Sequence, residues 1–107
     1  MSDSDYDFLT LQKAEDGKHK MVASFYNKYT GKIKHIKFGA KGYKDYLYYV
    51  RYNGKEVADI HKANYINRHQ RRESWQNPLT AGTLSKYLLW NKTSLKASLD
   101  DYLKVFF

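Results

Sequence analysis

The stretch RHQRRESW, residues 68–75, sets three arginines, a histidine and a tryptophan within eight positions. Guanidinium groups are permanently charged, planar, forked donors, so such a cluster is suited to holding phosphate or carboxylate oxygens. If the segment is helical, Arg68 and Arg72 stand one turn apart and Arg71 lies about 100° from Arg72 around the axis. Lys62 and His69 widen the basic sector. Such a face would neutralise several phosphates while Trp75 or nearby tyrosines stack on bases or on guanidinium planes. The plainer alternative is a solvated helix face, partly balanced by Glu73, with Trp75 turned into the core.

A second basic region spans residues 18–44, with eight lysines and no acid. Lys32, Lys34, Lys37 and Lys41 lie there among Phe25, Tyr26, Tyr29 and Phe38. Single-strand-binding sheets have this look, rings stacking bases and lysines following the backbone. The competing reading puts the rings in the core, and the aromatic motif of the commonest RNA-binding sheet is missing. Both basic regions are therefore candidate polyanion contacts, and Trp75, Phe106 and Phe107 are candidate protein contacts.

Catalytic and metal chemistry finds less to work with. FGAKG lacks the GxxxxGK[ST] spacing of a phosphate loop, and no hydroxyl follows Lys41. Gly39 and Gly42 read instead as positive-φ turn positions. His19, His35, His61 and His69 form no HxxxH pair and there is no cysteine, so neither a metal nor another cofactor is expected. Asp100 and Asp101 diverge by about 100° on a helix and cannot act as a carboxylate pair. Asp59, His61 and Lys62 form a nuclease-like set only on paper, and no serine sits in a GxSxG elbow. The expectation is a non-enzyme with no small-molecule substrate.

The elements that must position these residues fit one domain of 107 residues. Eleven tyrosines within an aromatic share of 17% suggest rings half-buried at contacts. No run of about 18 apolar residues is present, so no membrane span is expected. The acidic MSDSDYDFL does not read as a secretory signal. Residues 1–16 carry net −4, which leaves +12 for the rest of a chain of net +8. An acidic leader before a basic body points to a polyanionic partner, nucleic acid or an acidic protein surface.

Residues 1–19 read as an acidic, flexible leader, and residues 20–107 as a single α+β domain. Met21, Ala23 and Phe25 share a face by the two-residue period, and a turn near Asn27 to Gly31 leads to a second strand with Ile33, Ile36 and Phe38. Asn53-Gly54 within YLYYVRYNGKEVADI predicts a second hairpin. From Ile60 the pattern becomes helical, with Ile60, Ala63 and Ile66 as a thin apolar strip, until Asn77-Pro78 breaks it. Thr80 or Thr83 caps a short helix carrying Leu84, Tyr87 and Leu88, and Trp90 reads as an aromatic anchor between two packed helices. Thr93 or Ser94 caps the last helix, with Leu95, Leu99, Tyr102, Leu103 and Phe106 on one face. Strands followed by two to three helices define the α+β class.

Three blocks, FGAKGYKDY, NYINRHQRRESW and TAGTLSKYLLWNKTSLKASLDDY, carry a resemblance. They resemble a family of small, basic proteins of uncharacterised role encoded by large double-stranded DNA viruses of the giant-virus and algal-virus kind. Its pattern of Phe-Gly-Ala-x-Gly, Tyr-Ile-x-Arg-His ending near Trp, Thr-Ala-Gly, Leu-Trp-Asn-Lys and Ala-Ser is met by Phe38 to Ala40 and Gly42, by Tyr65, Ile66, Arg68, His69 and Trp75, by Thr80 to Gly82, by Leu89 to Lys92, and by Ala97 and Ser98. The match covers residues 21–102. The YLYYVRYNGKEVADI stretch is longer than the family's connection, and Ser94 stands near a proline-threonine pair of the pattern. The resemblance implies no activity and no catalytic residue. It implies a viral gene product carried in the particle, or acting in the host cytoplasm at the viral factory. On that footing the leading expectation is a minor capsid, cement or core-associated protein lying against acidic structural proteins or packaged nucleic acid. The alternative is a nucleic-acid-binding regulator or packaging factor.

Overall fold

Side-chain alternation builds the first half of the molecule. The computed structural model describes residues 5–107. Strands β1 (Tyr6–Lys13), β2 (His19–Asn27) and β3 (Ile33–Ala40) form one antiparallel sheet in that order. Met21 pairs with Phe38, Ala23 with Ile36 and Phe25 with Phe8, so these core-forming positions of the three strands fall on one face. The expected turn follows β2, where the Asn27 side-chain oxygen accepts from the N–H groups of Tyr29 and Thr30. β1 and β3 are both edge strands: a bulge interrupts the register of β1 between Phe8 and Thr10, while Lys34 and Lys37 lie along β3.

The expected flexible leader is corrected from Tyr6 onward; residues 1–4 lie outside the described residues. Phe8 meets Phe25 edge-on, ring centroids 5.8 Å apart, and Leu11 also packs on the core. Two apolar anchors suffice to hold this acidic segment in the sheet, and the bulge explains why its alternation is hard to read.

The expected second hairpin is helical. α1 (Tyr46–Asn53) and α2 (Lys55–His69) meet at Gly54, whose φ of 89° breaks the helix between them. Asp45 starts α1 by accepting from the Tyr48 N–H at 3.0 Å. Helical spacing then brings Tyr48 within 4.7 Å of Tyr52 and stacks Tyr49 on His61 of α2 at 3.7 Å. These ring contacts override the strand propensity of a tyrosine-rich run. The apolar strip of α2 also moves: Ile60 is 62% exposed, and the buried positions are Ala58 and Tyr65.

α3 (Ala81–Leu89) is capped by Thr80 and α4 (Leu95–Phe106) by Ser94, each hydroxyl accepting from the N–H three residues on. Among the described residues the helices thus number four, and the class is α+β as expected. Between the sheet and the α3–α4 pair lies the core of Ala23, Phe25, Phe38, Leu84, Leu88, Leu89 and Tyr102. Leu95, Leu99, Leu103 and Phe106 flank it, as the spacing in α4 predicts. The α1–α2 pair is tied to this core through Trp90, which stacks on Tyr65, and through Lys62, whose ammonium donates to the Asn91 carbonyl at 2.9 Å.

Candidate functional site

Where the α1–α2 pair meets the sheet and α3, a cleft of about 490 Å³ opens. Its walls come from five stretches of chain: Lys20 of β2, the end of β3 with the following loop, the last turns of α2, Glu73, and α3 through Trp90. Helical spacing accounts for the α2 wall, since Tyr65, Arg68 and His69 at i, i+3 and i+4 share a side.

The chain then leaves the helix. The N–H groups of Arg72 and Glu73 both donate to the His69 carbonyl, at 3.0 and 3.1 Å, and this turn folds Glu73 back into the cleft. One carboxylate oxygen, Oε2, comes within 3.3 Å of His69 Nδ1, an ion-pair distance without hydrogen-bond geometry. Oε2 is shut from solvent and has no hydrogen-bond partner among the described residues. Gly82, in the first turn of α3, makes room for it: a methyl group there would fall 2.5 Å from Glu73 Oε1. Across the cleft, Lys20 and Asp45 pair at 2.7 Å, and Asp45 thereby joins β2 to the start of α1.

Burial first, and the Glu73 charge second, raise the Tyr65 hydroxyl above the ordinary phenol range, against an opposing pull from Arg68. That hydroxyl stays protonated at neutral pH and is a donor. Together the cleft offers cations (Arg68, Lys44), a phenol donor, an imidazole and the open end of a helix. Such a set recognises anions.

The structure separates the nine basic residues singled out from sequence. Arg68 and His69 line the cleft, whereas Lys41 is exposed and is not part of its lining. Arg71 and Arg72 lie in the turn beyond α2, exposed and without ion pairs among the described residues. They are therefore not continuations of a helical ridge, which is the correction to that expectation. Lys62 is occupied within the fold: it bonds Asn91 and lies 5.2 Å over the Tyr46 ring, and burial, then the Lys92 charge, lower its pKa. Lys37 pairs with Asp16 at 3.5 Å. Lys32 and Lys34 are exposed at the far end of β3, about 20 Å from the cleft at roughly 3.3 Å per residue.

Of the three expected protein contacts, Phe106 is half-buried, packing edge-on to Tyr87 at 5.0 Å against the core. Phe107 stacks on Phe25 and remains 46% exposed. Trp75 is half-buried beneath the Lys86 ammonium at 5.1 Å. Sequence reasoning missed Lys20, Lys44, Tyr65 and Gly82 as parts of one site. The Thr-Ala-Gly start of α3 and the position of Tyr65 one turn before Arg68 and His69 were the available signals.

Comparison with family models, with curated proteins and with solved structures finds no match to this chain. The class is therefore set by the fold itself: an α+β protein with an anion-suited cleft between its sheet and a helical pair. Among the described residues, no helix is long and apolar enough to cross a membrane.

Proposed function

We propose that the protein is a non-enzymatic component of a large double-stranded DNA virus, core-associated in the particle, that grips packaged nucleic acid through the arginine turn and the adjoining cleft. One observation carries the reading. Arg68, Arg71 and Arg72 are exposed within five residues, none ion-paired among the described residues, beside a cleft that adds Lys44. Unneutralised guanidinium groups that a turn gathers together suit a phosphate backbone. The viral setting comes from the sequence resemblance. In the test, binding of a single-stranded oligonucleotide is followed across a salt series. Wild type should weaken steeply, and the triple variant R68A/R71A/R72A should flatten the slope of log K on log salt by about 2 if most of the three reach phosphates. An unchanged slope would remove the arginine turn from the interface.

A second reading, a minor capsid or cement protein seated on an acidic protein lattice, is favoured by the distance between Lys32, Lys34 and the arginine turn. Exposed Tyr29, Tyr43 and Tyr52 add contact rings away from that turn. Both readings predict the protein in purified particles by mass spectrometry. Retention on nucleic-acid-free capsids, abolished when Lys32 and Lys34 become glutamate, would select the second.

A further inference from the structure

We propose that the cleft receives one nucleotide unit of a single-stranded nucleic acid, its phosphate near Arg68, between His69 and the start of α3, and its base beside Tyr43, in competition with the Glu73 carboxylate. The inference rests on the nucleic-acid reading above and adds to it a defined pocket and an internal competitor.

The space is adequate, since about 490 Å³ lies within the range of roughly 300 to 1,000 Å³ usual for small-ligand sites. Its lining is divided in the way a nucleotide is. Arg68 and Lys44 supply positive charge and Tyr43 supplies ring surface, while the Tyr65 ring is already stacked against Trp90 and His69 and offers only its hydroxyl. Tyr43 is 75% exposed at the mouth, free to close over a base. Tyr65 is only 7% exposed, and its hydroxyl has no hydrogen-bond partner among the described residues. A protonated phenol held in a cleft wall without an acceptor is suited to a ligand oxygen.

Glu73 marks where such an oxygen would sit. Its Oε2 is buried against His69 and receives no hydrogen bond, an unfavourable setting for a carboxylate oxygen. The same carboxylate lies over the first turn of α3, where the N–H groups of Ala81 and Gly82 donate to no acceptor among the described residues. Imidazole on one side and a helix start on the other form a place for an anion. Glu73 fills it in the free protein, so a phosphate must displace or out-compete it. Displacing this carboxylate sets a threshold that a neutral molecule does not pass.

The test uses the full chain and follows tryptophan fluorescence, for which Trp90 in the cleft wall is the reporter. Adenosine 5′-monophosphate, adenosine and inorganic phosphate are each titrated as competitors of a bound single-stranded oligonucleotide. The nucleotide should compete while adenosine and phosphate at equal concentration do not. E73Q removes the competing charge and should tighten nucleotide binding by about tenfold, leaving the response to adenosine unchanged. Y43A, at an exposed position, should weaken nucleotide binding by roughly five- to tenfold. S85F should fill the cleft and abolish competition. If that variant fails to fold, E73Q and Y43A still decide the matter. Phosphate competing as well as the nucleotide would reduce the cleft to a simple anion site and overturn the proposal. So would a nucleotide without effect, or an E73Q variant that binds it no better. Oligonucleotide binding that persists in those cases and still depends on Arg71 and Arg72 leaves the broader reading standing. Absence of any oligonucleotide binding removes both.

Discussion

The indole of Trp90 lies flat on the phenol ring of Tyr65, centroids 4.5 Å apart and planes 5° from parallel. This stack fastens α2 to the end of α3, and Tyr49 of α1 leans on the same indole at 6.4 Å. It explains how two helices with few buried aliphatic side chains stay docked. Trp90→Ala should cost about 3 kcal/mol in a urea titration, and Trp90→Phe clearly less because a ring remains. Tyr65→Phe should change stability by under about 0.5 kcal/mol, since its hydroxyl bonds nothing within the described protein.

Gly82 and Glu73 are coupled through space. Gly82→Ala alone should destabilise by about 1 to 2 kcal/mol, because the new methyl meets Glu73 Oε1 and drives the carboxylate from its place. With Glu73→Ala already present, the same change should become neutral or stabilising by up to about 1 kcal/mol, alanine being the better helix former. A double-mutant cycle by thermal unfolding reads the coupling directly.

Tyr102 closes the core from above, its hydroxyl donating to the Pro78 carbonyl at 2.7 Å. Tyr102→Phe preserves the ring and leaves that carbonyl short of a donor, at a cost of about 1 to 2 kcal/mol in chemical denaturation. A loss well above that would mean that the hydroxyl also orders the segment from Asn77 to Thr80, which precedes α3.

Acid should loosen the turn between β1 and β2. The Asp16 carboxyl is held well below the usual carboxylate range, chiefly by the His19 side chain and then by the backbone N–H groups of His19 and Lys18. A depressed native value contributes stability that is present above the unfolded pKa, about 3.9, and fades as pH falls toward the native one. Asp16→Asn should therefore flatten the stability profile below about pH 4. Denaturant midpoints taken from pH 2 to 7 check this.

Much of the α+β plan could be read from the chain. Met21, Ala23 and Phe25 alternate cleanly, and Leu95 through Phe106 repeat at helical spacing, so β2 and α4 follow from periodicity alone. β1 escapes because its bulge near Leu9 spoils the alternation and its acids suggest solvent. α1 and the first turn of α2 escape because tyrosine favours strands in general, and Asn53-Gly54 separates two helices as readily as two strands. The arginine segment leaves its helix at Gln70, eight residues before the first proline, with no glycine to announce the exit. Five separate segments make the cleft, and no local pattern encodes their meeting. Arg68 and His69 could be picked out as candidates, whereas Lys20 and Gly82 acquire their place only through folding.

The sheet has two open borders, and each is guarded differently. Along β3 the cationic side chains repel an approaching copy, and along β1 the kink denies a straight ladder of donors and acceptors. Both flanks therefore offer a poor template to a fourth strand from a sister molecule, which works against cross-β growth where copies crowd together.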